Sequence, residues 1–362
     1  DMLFAVGRDI NGTLYVGGLS MATGGGGLPM VAPVLKRWFE SGQNWQDLGA
    51  SLGSLFTGAG PVMDLHFIEQ WTGWLAMGKT IRYQEKLGIW KKVELDQTVQ
   101  KLHMFDAMRG VACGDGGRIW RTEDGGVTWD GVFDVDSQVN FGALHCLADG
   151  RCFAAGQASE EIEQETGSLT RYKHWEVWSG TNFGRNWQRV HRAEPDGDNG
   201  QIVGPIRFLP GGTTGWLVLA DWDMSNSRSR NVRLLRTIDG GASFSAVSNF
   251  DPQVGVYNNT MFGLKTPITL DMVGVMHWED ASRGRLIGAA YVADEPTSGG
   301  GTPPPIYKRA DFTTTDGGKT WAKPNLGLIE MDFMGGGAIP TSDPRPFRSE
   351  EHTSELQSRQ SI

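Results

Sequence analysis

An eight-residue motif recurs along this chain and constrains its fold more than any other feature. Three copies follow the pattern Ser/Thr-x-Asp-x-Gly-x-Ser/Thr-aromatic. Their motif positions are Thr122, Asp124, Gly126 and Trp129, then Thr237, Asp239, Gly241 and Phe244, and finally Thr314, Asp316, Gly318 and Trp321. Three decayed copies end at Trp45, Trp90 and Trp187. Repetition of this kind predicts an architecture of stacked, similar units.

The motif has a physical reason. A tight hairpin loop needs positive φ, which Gly adopts without a Cβ penalty. The Asp carboxylate can accept hydrogen bonds from backbone N–H groups of its own turn, and the preceding hydroxyl residue can close the same turn. The closing aromatic starts the next strand and packs inward. We therefore interpret Asp124, Asp239 and Asp316 as structural rather than catalytic residues.

This pattern resembles the Asp-box, or BNR, repeat of sialidases, sortilin-type receptors, some glucanases and photosystem II assembly-factor propellers. The resemblance covers residues 1 to about 330. It implies a β-propeller, and it implies little about function, because enzymes and non-enzymes share the repeat.

The sequence between the motifs fits four short strands per repeat, here called A, B, C and D, with the motif as the C–D turn. The 51 Gly and 14 Trp suit many tight turns and large aromatic anchors. We predict an all-β fold, a β-propeller of four-stranded antiparallel blades. Six blades are present, and residues 326–347 are expected to be strand A of a truncated seventh. Residues 1–347 form this single domain.

Residues 348–362 are set apart, because up to Ser358 they resemble the direct translation of a short-read sequencing adapter. We expect this tail to be non-native and exclude it from the fold. The alternative is an ordinary polar disordered tail. Because the chain begins at Asp1, we also expect its true N-terminus to lie outside the sequence.

Charge and composition exclude several functions. The formal net charge is −9, so no basic surface points to nucleic acid. No stretch approaches the ~18 apolar residues of a transmembrane helix. The seven His show no metal-ligand spacing, and no cofactor or metal is expected. The acidic run at Glu160, Glu161, Glu163 and Glu165 indicates a solvated loop, with calcium binding as the alternative.

Long inserts point to one face of the propeller. They occupy residues 19–33, 157–171, 222–231 and 293–309, each between strands B and C of its blade. Inserts gathered on one face of a repeat protein often mark its binding face, although drift in tolerant loops gives the same pattern. We predict a binding site there, over blades four to six. Its candidate residues are Tyr172, Trp222, Asp223, Arg228, Arg230, Tyr307 and Lys308.

Catalytic chemistry is sparse. Sialidases need an arginine cluster and a Tyr nucleophile with an acidic partner. Their Arg-Ile-Pro motif is only faintly echoed by residues 206–210, where Arg207 fits an ordinary strand A. No catalytic residue is assigned. We expect a binding or assembly module for a protein or glycan ligand, acting as a monomer. The alternatives are a sialidase-type glycoside hydrolase and a photosystem II assembly-factor-like scaffold.

The three cysteines bear on localisation. Cys146 and Cys152 flank a predicted three-residue hairpin loop with Gly150 left-handed, which places them opposite each other at a distance that suits a disulfide. Two buried free thiols are the alternative. A disulfide favours an exported protein, whether extracellular, periplasmic or lumenal. Cys113 has no evident partner.

Overall fold

The computed structural model consists of strands packed as a propeller. It describes residues 2–23, 29–39, 44–48, 60–86, 89–134, 139–164, 167–194, 200–223, 228–259, 264–294, 305–324 and 328–331. The expected adapter-like tail lies outside these ranges. Within them the helical content is one 3-10 turn at Asp115–Gly117. The predicted all-β propeller with six blades is confirmed.

Blades one to three are four-stranded antiparallel sheets in chain order. Blade one contains β1 (Met2–Arg8), β2 (Leu14–Thr23), β3 (Pro29–Phe39) and β4 (Asn44–Asp47). Blade two contains β5 (Asp64–Glu69), β6 (Thr72–Met77), β7 (Thr80–Lys86) and β8 (Ile89–Glu94). Blade three contains β9 (Val99–Met104), β10 (Gly110–Gly114), β11 (Arg118–Thr122) and β12 (Asp130–Asp134).

Blades four and five repeat this order. Blade four contains β13 (Val139–Cys146), β14 (Cys152–Gln164), β15 (Gly167–Thr181) and β16 (Asn186–Ala193). Blade five contains β17 (Gln201–Phe208), β18 (Gly215–Asp223), β19 (Arg228–Thr237) and β20 (Ser245–Ala246).

Blade six departs from the simple pattern. Its strands are β21 (Gln253–Asn259), β22 (Leu264–Trp278), β23 (Gly284–Asp294), β24 (Pro305–Thr314) and β25 (Leu328–Met331). The second half of β22 is strand A, because it leads through a short turn into β23. Strand D is reduced to one bridge between Thr313 and Ala322. The first half of β22 pairs with β21 as an additional hairpin ahead of the blade.

The expected start of a seventh blade takes a different position. Residues 328–331 form a strand, but β25 runs parallel to β21 and hydrogen-bonds to it as a fifth strand of blade six. A first strand without partners from its own blade has unpaired N–H and C=O groups. The open edge of β21 satisfies them, which explains why β25 joins an existing sheet.

The hydrophobic core is divided into layers between neighbouring blades. In the described chain, buried side chains form five clusters, and each joins two successive sheets. One of them packs Tyr15 and Leu35 of blade one against Phe67 and Leu75 of blade two. The strands A of successive blades also contact one another, which places them at the inner ends of the sheets. Each blade is therefore stabilised by its neighbours rather than by a core of its own.

The closing aromatics supply these layers. Trp90 and Trp129 are buried, each in the layer shared with the preceding blade. Trp187, Phe244 and Trp321 pack in the same way at later blades. Trp45 of blade one is 41% exposed, because no described sheet precedes it. The inward packing predicted for these aromatics therefore requires a preceding blade.

The three complete motifs form equivalent turns, which we call boxed turns. In the first, the Thr122 hydroxyl accepts the Gly126 N–H at 2.9 Å and donates to the Asp124 carboxylate at 2.9 Å. Asp124 in turn accepts the Thr128 N–H at 2.9 Å. The same contacts recur around Asp239 and Asp316. The three carboxylates thus accept hydrogen bonds within their own turns.

Within the described residues, the predicted inserts continue strands B and C of their blades. Strands β14 and β15 continue their ladder through residues 157–171 as far as Gln164 and Gly167. Glu160 therefore lies on a strand, with its carboxylate paired to Lys173 at 2.5 Å, which corrects the prediction of a solvated loop. Glu165 lies outside the described residues, as do the side chains of Glu161 and Glu163.

Cys146 and Cys152 are direct partners in the ladder between β13 and β14, and a disulfide joins them. Their Cα atoms are 4.0 Å apart. Gly150 in the connecting turn has φ +86°, as expected for its left-handed position. Cys113 is buried and free.

Thr122→Val should destabilise the protein by about 1–3 kcal/mol, because the isosteric change leaves the buried Gly126 N–H without its acceptor. Chemical denaturation measures the free energy of unfolding. Val127→Ala, at a 46% exposed position of the same turn, is the control and should change little. Equal stability of Thr122→Val and wild type would show that the hydroxyl does not hold the turn.

The boxed turns should also make stability depend on acid pH. Hydrogen bonds from Ser243 and Thr237 lower the pKa of Asp239 from its ordinary 3.8 to about 2. Because the folded pKa is below the unfolded one, this stabilisation is present above pH 3.8 and is lost as pH falls through about 2.

Asp239→Asn should therefore be less stable than wild type at pH 5, and this difference should shrink as the pH approaches 2. Urea denaturation at successive pH values measures it. Asp130→Asn, which removes an exposed carboxylate of β12, is the control. A stability difference that stays constant with pH would contradict this account of the turn.

Candidate functional site

The two faces of the propeller differ in construction. The A–B and C–D turns share one face, which we call the boxed-turn face. The B–C hairpins and the D–A connections share the other, which we call the B–C face. In blades two and three the B–C turns are tight, with Gly78 at φ +58° and Gly116 at φ +68°. The extended hairpins of the other blades, and the additional β21–β22 hairpin, all project from the B–C face.

Tyr172 of blade four and Trp222 of blade five meet on the B–C face. Their ring centroids are 5.7 Å apart with an interplanar angle of 86°, an edge-to-face contact. Gly200, in the connection between the two blades, lies beside them, and its carbonyl accepts the Trp222 N–H at 3.1 Å. Burial raises the pKa of the Tyr172 hydroxyl. We call Tyr172, Gly200 and Trp222 the aromatic junction.

Glycine is required in this junction. Gly200 has φ +77°, and a Cβ there would lie 2.2 Å from the Tyr172 carbonyl oxygen. Backbone cannot yield to such a contact as a flexible side chain could. A residue without a side chain therefore allows the two blades to approach at this point.

Charged groups of blade five flank the junction. The Arg230 guanidinium pairs with the buried Asp223 carboxylate at 3.1 Å, and the Arg230 side chain is 46% exposed. Two positions earlier on β18, Asp221 accepts hydrogen bonds from Arg233 at 2.6 Å and from Asn231 at 3.1 Å. Both carboxylates are thus held by arginines of β19. We call Asp221, Asp223, Arg230, Asn231 and Arg233 the charged rim, and these bonds fix it in position.

A β-bulge shapes this part of blade five. The register between β18 and β19 shifts between Leu219 and Asp221, so that two residues of β19 oppose one of β18. Asn231, in this bulge, has φ +53°, which Asn tolerates better than most residues. Bulges redirect side chains and often occur next to functional sites. At this bulge, the side chains of Asn231 and Arg233 both donate hydrogen bonds to Asp221.

A small cavity of about 290 Å³ opens beside the same strand. It lies between β19 and the segment that leaves blade five. Its lining is mostly apolar, with two polar residues from the rim: Asn231, Val232, Arg233, Leu234, Ala246, Val247, Phe250 and Pro252. The rim and the cavity therefore share Asn231 and Arg233.

The structure brings together four of the seven residues proposed for binding: Tyr172, Trp222, Asp223 and Arg230. Arg228 pairs with Asp223 in the ladder, and Tyr307 pairs with Tyr291, but their side chains lie outside the described residues. Lys308 pairs with Ala290 on blade six and is half-buried. No contact joins Lys308 to the junction within the described part of the chain.

Other residues of the site had weaker sequence signals. Gly200, Asn231 and Arg233 were not singled out, because a lone glycine and a bulge have no periodic signature. Asp221 stood in the predicted insert, yet its role depends on the register of β19. The β21–β22 hairpin was also missed, because it precedes its blade and carries no boxed turn as a landmark.

The described residues contain no group of three or more His, Cys, Asp or Glu side chains arranged to hold a metal ion. No helix among them is long and apolar enough to span a membrane. A fully buried acid, Glu176 of β15, pairs with Arg189 at 3.1 Å and accepts the Trp178 indole N–H at 2.8 Å. These bonds fix it within blade four.

Comparison with known proteins confirms the fold. The GH74 enzyme of Niastella koreensis aligns with a TM-score of 0.52 and 14% identity, over 89% of this chain and 45% of that one. The GH74 xyloglucanase of Xanthomonas campestris aligns with a TM-score of 0.53 and 11% identity, over 88% of this chain and 60% of that one. YCF48 from Cyanidioschyzon merolae aligns with a TM-score of 0.50 and 12% identity, over 90% of this chain and 85% of that one.

This chain is thus similar in fold to propellers of different kinds, and it spans only 45% and 60% of the two GH74 chains. No protein-family model matches the sequence. No curated protein matches it either.

Gly200→Ala should destabilise the protein more than Gly78→Ala does. Both positions have positive φ and share the backbone strain, but a Cβ at residue 78 meets nothing within 4 Å. The additional loss of unfolding free energy in Gly200→Ala, relative to Gly78→Ala, measures the close contact with Tyr172. Chemical denaturation of both variants measures it. Equal losses would show that blades four and five do not approach each other at the aromatic junction.

Proposed function

We propose that this protein is a non-catalytic Asp-box (BNR) propeller that binds a partner through its B–C face, centred on the aromatic junction. The observation that carries the proposal is the contact of Tyr172 with Trp222 across two blades, beside the fixed pair of Asp223 and Arg230. Aromatic and arginine side chains most often anchor interfaces. The sheets beneath hold them in place at low entropic cost.

The boxed-turn face suits this role less well. The polar groups of Thr122 and Asp124 are occupied within their own turn, and the other boxed turns repeat these contacts. On the B–C face, Arg230 retains a 46% exposed side chain although it is paired. It can therefore contact a partner while Asp223 holds it in position.

The aspartates of the site argue against a hydrolase. A glycosidase needs a carboxylic acid that delivers a proton to the leaving group. Asp221 and Asp223 lie two positions apart on β18, but each is held by an arginine. Both carboxylates are therefore already engaged in charge-assisted bonds within the site. Arg207 lies on β17 opposite Trp216, away from this rim, and does not form a carboxylate-binding cluster with Arg230 and Arg233.

Two further functions have support. The fold likeness to GH74 enzymes keeps a glycoside hydrolase as the second candidate, with Asp221 and Asp223 as its paired carboxylates. The likeness to YCF48 supports a scaffold of the photosystem II assembly-factor type, which is also a binding function. The partner in our proposal is a protein or a glycan, and the propeller acts as a monomer. We also propose export, supported by the disulfide of blade four.

Photo-cross-linking tests the proposed face. A benzoylphenylalanine at position 230 should capture the partner, whereas the same group at position 238, which is 67% exposed on the boxed-turn face, should not. The captured partner is then purified for affinity measurements. Trp222→Ala should weaken its binding about 30-fold or more, as expected for loss of a central aromatic anchor, while Ile238→Ala leaves it unchanged.

If Ile238→Ala weakened partner binding as much as Trp222→Ala, or if only position 238 captured the partner, the site would lie on the boxed-turn face and the proposal would be wrong. Turnover of xyloglucan or a fluorogenic sialoside by the purified protein, abolished by Asp221→Asn but retained by Asp130→Asn, would instead establish the hydrolase.

A further inference from the structure

The inner strands of the blades carry a second, unassigned group of polar residues. Strand A repeats an apolar–basic–apolar pattern, with the basic residue at the same register in five blades. These residues are His66, His103, His145, Arg207 and His277. Blade one has Gly7 at this position. The flanking apolar residues are buried in the layers between blades, so each basic side chain points to the opposite side of its strand.

The first four of these side chains lie on neighbouring strands A. The rings of His66 and His103 are 5.0 Å apart. Burial and the charges of His66, His145 and Arg207 together lower the pKa of His103 to about 3. The strands A of these four blades contact one another in order, and the shared register places the four side chains at one level of the inner ends of the sheets. We call His66, His103, His145 and Arg207 the axial cluster; His277 on blade six is exposed.

Hydrogen bonds between blades orient two of the imidazoles. His145 Nδ1 accepts the Phe208 N–H at 3.0 Å, and His66 Nδ1 accepts the Met104 N–H at 3.5 Å. A nitrogen that accepts a hydrogen bond carries no proton, so Nε2 carries it in each neutral ring. Both rings therefore present an Nε2–H donor on the side away from the neighbouring strand.

Arg207 supplies the charge of the cluster. Its Nη1 donates to the Ile206 carbonyl at 2.8 Å, and it forms no ion pair within the described part of the chain. Asp64 acts on Arg207 only through space, and its Oδ2 already accepts the Leu102 N–H at 2.9 Å. Burial lowers the pKa of Arg207, whose side chain is half-buried. A half-buried guanidinium without a paired anion keeps donors that an anion could occupy with charge-assisted hydrogen bonds.

We propose that the axial cluster is an anion-binding site, in which Arg207 and the imidazole N–H groups bind a carboxylate or phosphate group. The cluster offers the positive charge of Arg207 and the Nε2–H donors of His66 and His145, and acceptor oxygens complement both. His103, His145 and Arg207 each lie one residue before the end of their strand A, towards the boxed-turn face. The site is therefore separate from the aromatic junction and does not depend on the function proposed for it.

Imidazole NMR tests this site directly. Long-range ¹H–¹⁵N spectra of the intact protein are recorded while sodium phosphate or sodium acetate is added, with sodium chloride at equal ionic strength as the control. Signals of His66, His103 and His145 are assigned from single His→Gln variants. We expect saturable shifts of these three signals, with the other His signals unmoved. Saturation by phosphate alone identifies a phosphate site, and saturation by acetate alone identifies a carboxylate site.

Arg207→Gln should weaken this binding about tenfold or more, since it removes the charge-assisted bonds. Arg285→Gln removes an equal charge from a surface pair on blade six and should leave the affinity unchanged. If Arg207→Gln does not fold, the wild-type titration decides alone. The absence of saturable shifts with both anions, or equal affinity in the two arginine variants, would overturn the proposal.

Discussion

The packing of each sheet against its predecessor is the interaction on which the rest of this structure depends. The described core consists of layers between blades, and the closing aromatics Trp90 and Trp129 lie in such layers. The boxed turn delivers its aromatic to the layer, since its Thr, Asp and Gly fix the backbone just before it. Trp74 of blade two shows the coupling: its indole donates at 2.8 Å to the Gly125 carbonyl in the boxed turn of blade three.

This construction gives the propeller two unlike faces. The boxed-turn face carries turns whose polar groups hydrogen-bond within the same turn, so the turn sequence can repeat from blade to blade. The other face carries hairpins that extend beyond the sheets, and their side chains are free to differ. The aromatic junction uses that freedom, because Tyr172 and Trp222 come from different blades and meet only when β15 and β18 are packed side by side. At the inner ends of the sheets, register rather than loop length places His103 and Arg207.

The sequence predicted the fold well because its determinants are local. Each boxed turn is eight residues long, and the residues that close it lie within that window. The blade count and the hydrogen bonds of Asp239 within its turn could therefore be inferred directly. Four residues of the candidate site were also predicted, because long inserts mark the B–C face. Gly200, Asn231 and Arg233 could not be found in this way, since their roles arise from a close contact and a bulge. The position of β25 depended on an open strand edge, which no local pattern reveals.

The central claim is that partner binding occurs on the B–C face of blades four and five. Hydrogen–deuterium exchange of the protein with and without its partner tests this claim most directly, because it reports both faces in one experiment. The account predicts slowed exchange in residues 167–194 and 200–223, around Tyr172 and Trp222. Slowed exchange confined to the boxed turns at residues 122–129, 237–244 and 314–321 would contradict it.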